Sequence, residues 1–303
     1  MSNIKQAKKE YVPCPICGLE HSKVLYKPWV DVDDPIKLYG AASGIQGTQR
    51  LVTCKDCGMI YENPRFPEKV ILEGYMTSLE SGHDSQYQMR VNSFYRALRS
   101  LSRTIPEKGA KVLDIGTAGG AFLEAAERFG YMATGLEPSL FLVNEGKKRN
   151  LKIEQGTIDN HPFQKESFDM VCLWDVIEHL CDPKKDLLEI RTLIKPGGIL
   201  LINYPDIGTL MAKAAGKRFW WLLSVHLHYF TQETIKKICH NTGFETFCFQ
   251  RYWQILEFGY LEDMAIHYKI PGSKALKGWT PKFIQQIPIP YYASQTTAIA
   301  RVK

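Results

Sequence analysis

Short apolar runs alternate along much of the chain with segments in which apolar residues recur at helical spacing. Strands that are apolar on both faces are typical of a parallel sheet covered by helices. The alternation therefore predicts an α/β fold with right-handed crossovers between the strands. The apolar runs lie at residues 111–115, 131–136, 152–155, 168–174, 198–203 and 244–252. A last run at residues 295–302 is expected to form an antiparallel strand at the edge of the sheet.

Capping residues predict where several helices begin and end. Pro138 is expected to open one helix, and Asp182 with Pro183 supplies the N-cap and first turn of another. Thr231 can cap a third helix, which should end at Gly243 because glycine readily adopts the conformation that follows a helix.

The most informative local pattern lies at residues 111–120, KVLDIGTAGG. An apolar strand containing Asp114 breaks into small residues and glycines, and residues 121–129 follow at helical spacing. Such a strand–turn–helix unit places a ligand at the carboxyl end of the strand. Glu137, about 20 residues further on at the end of the next apolar run, could accept both hydroxyls of a ribose. The segment therefore predicts a site for a nucleotide-like ligand.

The same residues narrow the choice of ligand. The spacing from Gly116 to Ala121 does not fit the G-x-G-x-x-G pattern of dinucleotide sites, and no Lys followed by Ser or Thr completes a P-loop. A carboxylate at Asp114 would repel a pyrophosphate but would attract a cationic ligand. Both phosphate-binding classes are therefore excluded.

At this point the chain resembles the class I S-adenosylmethionine-dependent methyltransferases. Their first motif, acidic-x-Gly-x-Gly-x-Gly, corresponds to residues 114–120, with Ala118 in place of the middle glycine. Residues 156–163, 168–180 and 193–202 resemble the later motifs of the family in the same order. The resemblance covers about residues 85 to 260. It implies a Rossmann-like, seven-stranded methyltransferase sheet.

The resemblance also implies S-adenosylmethionine as the cofactor and assigns residues to it. Asp114 would orient the amino group of the cofactor, Glu137 would bind the ribose, and the glycine turn would lie under the methionine and ribose portions. Trp174 would line the methyl-transfer end, although an ordinary role as a core aromatic is the alternative. The predicted cofactor-binding residues are Asp114, Gly116, Thr117, Ala118, Gly120, Glu137, Pro138, Thr157, Ile158, Trp174 and Asp175.

Two C-x-x-C pairs, each followed by glycine, form the second marked pattern. They match the paired knuckles of a structural zinc site with the ligands Cys14, Cys17, Cys54 and Cys57. Disulfides or unpaired thiols are the alternatives. We expect a small zinc-ribbon-like module at residues 1–82 and the methyltransferase domain at 83–303. This arrangement resembles a bacterial subgroup of the family that includes enzymes acting on sugars and cell-surface polysaccharide precursors.

Composition sets limits on location and partners. The polar, lysine-rich start lacks the apolar stretch of a signal peptide, and no apolar run reaches the roughly 20 residues of a membrane span. A cytoplasmic protein with no transmembrane segment is therefore expected. The net charge of +6 is modest and spread along the chain, so a nucleic-acid partner is not favoured.

The acceptor side of the site is the least constrained by sequence. An alcohol acceptor needs a base near neutral pH, and His226 and His228 are the candidates. Residues 204–230, which contain a tryptophan pair, are expected to form a lid over the acceptor. The predicted function is methylation of a small molecule or sugar, with oxygen as the expected target atom. The alternatives are an RNA or protein methyltransferase that grips its target with the zinc module and, from a different class, a non-catalytic binding module.

Overall fold

A computed structural model describes residues 7–30, 34–40, 45–77, 86–267 and 271–303 as two sheets with helices packed against them. None of the described helices combines the length and apolarity needed to cross a membrane. The strands are β1 (Ser22–Tyr26), β2 (Leu51–Cys54), β3 (Ile60–Glu62), β4 (Lys111–Ile115), β5 (Met132–Glu137), β6 (Ile153–Gln155), β7 (Phe168–Trp174), β8 (Ile194–Pro205), β9 (His228–Tyr229), β10 (Phe244–Glu257) and β11 (Pro288–Val302). The helices are α1 (Pro35–Leu38), α2 (Glu68–Thr77), α3 (Tyr87–Leu101), α4 (Ala121–Phe129), α5 (Leu140–Lys148), α6 (Pro183–Leu193), α7 (Leu210–Ala215), α8 (Gln232–Asn241), α9 (Phe258–His267), α10 (Ser273–Trp279) and α11 (Lys282–Gln285).

The larger sheet has seven strands in the order β10-β11-β8-β7-β4-β5-β6. Strands β8, β7, β4, β5 and β6 are parallel, which confirms the predicted α/β fold and its seven-stranded sheet. The prediction of an antiparallel edge strand near the C-terminus was wrong in one respect. Strand β11 is antiparallel, but it lies between β8 and β10, and β10 forms the edge. The continuous burial of residues 293–300 agrees with an interior position.

Two of the three predicted helix starts are confirmed. Asp182 caps α6 by accepting a hydrogen bond from the Lys185 amide, and Thr231 caps α8. Pro138 does not open α5, because that helix begins two residues later at Leu140. The chain first makes a turn in which the Glu137 carboxylate accepts a hydrogen bond from the amide of the next residue but one.

The smaller sheet joins the N-terminal region to the rest of the chain. Its order is β1-β2-β3-β9, and β9 comes from the segment that follows the larger sheet's fifth parallel strand. Buried residues on both sides of this junction form one apolar cluster, which includes Cys54, Tyr61 and Phe230. The predicted boundary at residues 82 and 83 lies outside the described residues. The division into two domains remains a prediction.

Candidate functional site

A cavity of about 500 Å³ lies at the carboxyl ends of β4, β5 and β7. This is the edge of a parallel sheet at which ligands bind in open α/β folds. Nine of the eleven predicted cofactor residues line it: Asp114, Gly116, Thr117, Ala118, Pro138, Thr157, Ile158, Trp174 and Asp175. The other two predicted residues, Gly120 and Glu137, do not line the cavity.

Asp114 is a buried acidic residue of β4 that lines the cavity. Its side chain is buried, and its Oδ1 has no hydrogen-bond partner. Burial raises the pKa of Asp114 to about 8, and the nearby negative charge of Glu137 adds to the rise. The hydroxyl of Thr117, on the same wall, interacts with the Asp114 carboxyl and favours its charged form. The unsatisfied Oδ1 fits the ammonium group of S-adenosylmethionine, because a bound cation would offset the cost of burying the carboxylate.

Glu137 binds the backbone of the glycine turn through its carboxylate. Its Oε2 accepts a hydrogen bond from the Ala118 amide at 3.0 Å, and its Oε1 accepts one from the Ser139 amide at 2.9 Å. Burial raises the pKa of Glu137 to about 7, and these two amides oppose the rise. Each carboxylate oxygen has a second lone pair, which could accept a hydrogen bond from a ribose hydroxyl. The ribose contact remains a prediction.

The turn after β4 depends on left-handed backbone conformations. Gly120 has a φ of +87°, and a Cβ there would come within 2.4 Å of the Leu151 side chain. Gly120 therefore permits close packing of the turn on the sheet, and its predicted cofactor contact lacks geometric support. Ala118 has a φ of +50°, which costs a residue with a Cβ about 1–2 kcal/mol. The Ala118 amide donates a hydrogen bond to Glu137, and this bond helps to hold Ala118 in its strained conformation.

Trp174 and Asp175 form the wall at the end of β7. The indole of Trp174 packs against Phe94 and Tyr252 as a core aromatic and also lines the cavity, and its place at the methyl-transfer end remains a prediction. The Oδ1 of Asp175 accepts hydrogen bonds from the side-chain amides of Asn203 (2.9 Å) and Gln295 (2.6 Å). Burial raises the pKa of Asp175 to about 6, and these amides favour its charged form. The carboxylate is thus fixed in place beside the cavity.

The structure brings one of the two predicted catalytic histidines to the cavity. His226 lines it, and its Nδ1 lies 2.9 Å from the carbonyl oxygen of Trp221. Burial lowers the pKa of His226 well below its ordinary value, so the ring is neutral at pH 7. His228 lies in β9, paired with Tyr61 of β3, and does not line the cavity. Burial lowers the pKa of His228 to about 3.

Several residues of the cavity were not predicted as site residues. Glu178 and His179 follow β7 and lie next to His226, with the two imidazole centroids 4.8 Å apart. Tyr39 and Arg90 reach the cavity from α1's end and from α3. Glu178 and His179 fall within a motif that the family resemblance covers, so a signal was present for them. Tyr39 and Arg90 carry no local signal, because only the folded chain brings their elements to the sheet.

The segment predicted as a lid is held by hydrogen bonds on both sides. The Trp221 indole lines the cavity and donates a hydrogen bond to the carbonyl of Ala293 in β11 at 2.6 Å. On the other side, the amide of Gly47 donates to the carbonyl of Leu222, and the amide of Ser224 donates to that of Ile45. The segment therefore closes one side of the cavity against the N-terminal region. Its opening and closing over an acceptor remains a prediction.

The four cysteines of the C-x-x-C pairs meet in one cluster. All four Sγ atoms lie within 4.8 Å of one another, with 3.4 Å between Cys14 and Cys57 and 3.6 Å between Cys17 and Cys54. These distances are too long for disulfides, whose sulfur atoms lie about 2.0 Å apart. Four thiolates at about 2.3 Å from a tetrahedral ion would lie about 3.8 Å apart, so the cluster is compatible with zinc.

Comparisons with known proteins agree with this geometry. Residues 86–248, more than half of the chain, match a family model described as a methyltransferase domain. The chain is 31% identical over 112 residues to a ubiquinone biosynthesis O-methyltransferase of Coxiella burnetii, covering 35% of this chain and 48% of that relative. It is 32% identical over 111 residues to the enzyme of the same name from Cereibacter sphaeroides, covering 35% and 45%. The match thus spans about half the length of these curated relatives.

Solved structures show the fold. A S-adenosylmethionine-dependent methyltransferase from Thermotoga maritima aligns with a TM-score of 0.50 and 20% identity, covering 73% of this chain and 95% of that one. A chain from a Haloferax volcanii complex of the Trm112 methyltransferase activator with a methyltransferase aligns with a TM-score of 0.52 and 17% identity, covering 72% and 94%. The chain belongs to the methyltransferase domain family and has the fold of the class I S-adenosylmethionine-dependent methyltransferases.

Proposed function

We propose that the chain is an enzyme that transfers the methyl group of S-adenosylmethionine to an oxygen atom of a small molecule, with sugars as the predicted acceptor class. The observation that carries the proposal is the buried carboxylate of Asp114, whose Oδ1 has no hydrogen-bond partner and which lines a ligand-sized cavity. S-adenosylmethionine supplies a methyl group that its sulfonium already activates. The protein therefore has to bind the donor, align the acceptor and exclude water.

The walls of the cavity suit a ring-shaped acceptor. The aromatic side chains of Trp221, Tyr252 and Tyr260 line it beyond Trp174 and Asp175. Aromatic faces stack on flat or ring-shaped molecules, and enclosed walls keep water away from the methyl group. The curated relatives are named as O-methyltransferases, which supports oxygen as the target atom.

His226 is the predicted proton acceptor for a hydroxyl group. The carbonyl oxygen of Trp221 can only accept a hydrogen bond, so the neighbouring Nδ1 must carry the ring's proton. The Nε2 of the neutral ring then has a free lone pair. A base of this kind could take the proton of an acceptor hydroxyl as the methyl group is transferred.

The charges of the cavity weigh against an RNA acceptor. Arg90 is the one Lys or Arg side chain that lines the cavity among the described residues. Six acidic side chains line it: Glu68, Asp114, Asp159, Asp175, Glu178 and Asp186. Such a wall attracts a sulfonium and repels a phosphate backbone, whose binding depends on Lys and Arg contacts.

Methyl transfer with isotope-labelled donor tests the proposal. The protein would be incubated with ¹³C-methyl S-adenosylmethionine and separate pools of nucleoside-diphosphate sugars, simple phenols, RNA and protein. We expect an O-methyl carbon signal in a small-molecule pool by NMR, and a much weaker signal with the Asp114→Asn variant at the same donor concentration. Labelled RNA or protein, or a methyl signal on carbon or nitrogen, would contradict the proposal. A protein that binds the donor and labels nothing would favour the binding-module alternative.

A further inference from the structure

Three side chains that could bind a metal ion meet on the wall of the cavity, and none of them is among the predicted cofactor residues. Glu178, His179 and His226 each place a ligand atom within 4.8 Å of those of the other two. Glu178 and His179 follow β7, and His226 comes from the segment before β9. The cluster lies on the wall of the cavity, and the cysteine cluster lies elsewhere in the structure.

Both imidazoles are oriented by backbone carbonyls. The Nδ1 of His179 lies 3.1 Å from the carbonyl oxygen of Val225, and that of His226 lies 2.9 Å from the carbonyl oxygen of Trp221. A carbonyl fixes the proton on Nδ1 and leaves the lone pair on Nε2. Histidines that bind metals almost always have this second contact, which fixes the tautomer and the ring orientation.

The carboxylate of Glu178 points to a bound ligand independently of the two histidines. Its side chain is only 2% exposed, and neither of its oxygens has a hydrogen-bond partner. Backbone amides and hydroxyls satisfy most buried carboxylates, because an unsatisfied one is costly. Here the neighbouring groups are two imidazole nitrogens that can only accept. A cation between the carboxylate and the two nitrogen lone pairs would satisfy all three acceptors.

We propose that Glu178, His179 and His226 bind one divalent transition-metal ion, separate from the zinc ion predicted at the cysteines. Two imidazoles and one carboxylate suit Mn²⁺, Fe²⁺, Co²⁺ or Zn²⁺, and this set leaves coordination positions open for another ligand. The ligand atoms are close enough that small side-chain movements would bring all three to one ion. Glu178, His179 and His226 all line the cavity, so a ligand in the cavity could reach an ion that they hold.

The consequence for catalysis rests on the proposed function. An acceptor hydroxyl bound to the ion would lose its proton to water more readily, because the positive charge stabilises the oxyanion. That oxygen would then form the new bond to the methyl carbon as the bond from sulfur to carbon breaks. In the metal-loaded enzyme His226 is therefore a ligand, and the ion replaces it in activating the hydroxyl.

Metal binding to the full chain tests the site directly. Protein dialysed against a weak chelator, with one zinc ion per chain retained at the cysteines, would be titrated with Mn²⁺ and followed by electron paramagnetic resonance, because Mn²⁺ prefers oxygen and nitrogen ligands to the thiolates of the cysteine cluster. We expect one bound Mn²⁺ per chain. Glu178→Gln and His226→Ala should each weaken its binding at least tenfold. The surface variant His240→Ala should leave it unchanged.

Total metal content separates the two clusters independently. After loading with Zn²⁺ and dialysis, mass spectrometry of the elements should find two ions per chain in the wild type, and one in either Glu178→Gln or Cys54→Ser. One ion in the wild type, retained in Glu178→Gln and lost in Cys54→Ser, would overturn the inference. Equal Mn²⁺ binding by wild type and His226→Ala would do the same.

Calorimetry with S-adenosylmethionine on the same samples shows which proposal has failed. Donor binding without Mn²⁺ binding removes only the metal site. Mn²⁺ binding without donor binding removes the proposed function and leaves the metal site. Retained donor binding in Glu178→Gln and His226→Ala also shows that these variants are folded.

Discussion

The described residues form two clusters of metal-ligand side chains that differ in how they are closed. The four cysteines surround one point with four thiols, so an ion there would have no position left for a substrate. Glu178, His179 and His226 offer three ligand atoms on the wall of a cavity, so an ion there would keep open positions. We therefore propose that the first cluster supports the fold and that the second, together with Asp114, supports chemistry.

Cys54→Ser should give the largest effect and would break the closed cluster alone. Cys54 is buried in the apolar cluster that joins the two sheets, and losing one of four thiolates should release zinc. Structural zinc ions contribute on the order of 10 kcal/mol to folding in small domains, so we expect a large fall in the melting temperature. Thermal unfolding and zinc content measure it. Cys248→Ser, at a half-buried cysteine of β10 outside the cluster, is the control. A folded, metal-free Cys54→Ser protein with an unchanged melting temperature would refute the structural role.

Asp114→Asn should weaken donor binding in the cavity and leave the fold intact. The amide keeps the shape of the side chain but removes the charge that would bind the donor's ammonium group. Losing a charge-assisted hydrogen bond should cost about 2–3 kcal/mol of binding free energy, or roughly 30- to 150-fold in affinity. Calorimetric titration with S-adenosylmethionine measures it. Asp159→Asn, an exposed acid on the same cavity wall, should bind almost as tightly as the wild type. Equal affinities of Asp114→Asn and wild type would place the ammonium group elsewhere.

Glu137→Ala should have a smaller effect on the same measurement. It removes the predicted acceptor for the ribose hydroxyls and also frees the amide of Ala118. We expect donor binding to weaken by about 1–3 kcal/mol. Competition by adenosine and by methionine separates the two causes, because only adenosine carries the ribose. If the variant binds adenosine as tightly as the wild type does, the ribose contact is wrong.

Ala118→Gly should give the smallest effect, in the opposite direction. Glycine adopts a φ of +50° without strain, whereas alanine does not. We expect the variant to unfold with a free energy about 1 kcal/mol higher, since an unstrained turn outweighs the added entropy of the unfolded glycine. Chemical denaturation measures it, with Ala121→Gly in the first turn of α4 as a destabilising control. A less stable Ala118→Gly protein would show that the turn at Ala118 is not strained.

Features that depend on neighbours in sequence were predicted, whereas features that depend on contacts between distant segments were not. The strand and turn from Lys111 to Gly120 and the two C-x-x-C pairs were predictable, because each depends on neighbours in sequence. The edge position of β10 was not, since nothing within β11 shows that a further strand covers it. Tyr39 and Arg90 reach the cavity from distant elements and carry no signal of their own. His226 was predicted by residue type alone, whereas its meeting with Glu178 required the fold.

We propose above that the cavity at the end of β4 binds S-adenosylmethionine through the carboxylate of Asp114. Burial raises the pKa of Asp114 to about 8, so the free protein holds this carboxyl largely protonated at pH 6. A cationic donor binds the charged form, and binding must then release a proton. Calorimetric titration of the wild type with S-adenosylmethionine at pH 8 and pH 6 is the most direct measurement. We expect one donor per chain at pH 8, and binding at pH 6 that is weaker by up to about tenfold per unit of pH. No binding at either pH would contradict the claim, and an affinity independent of pH would contradict the role of Asp114.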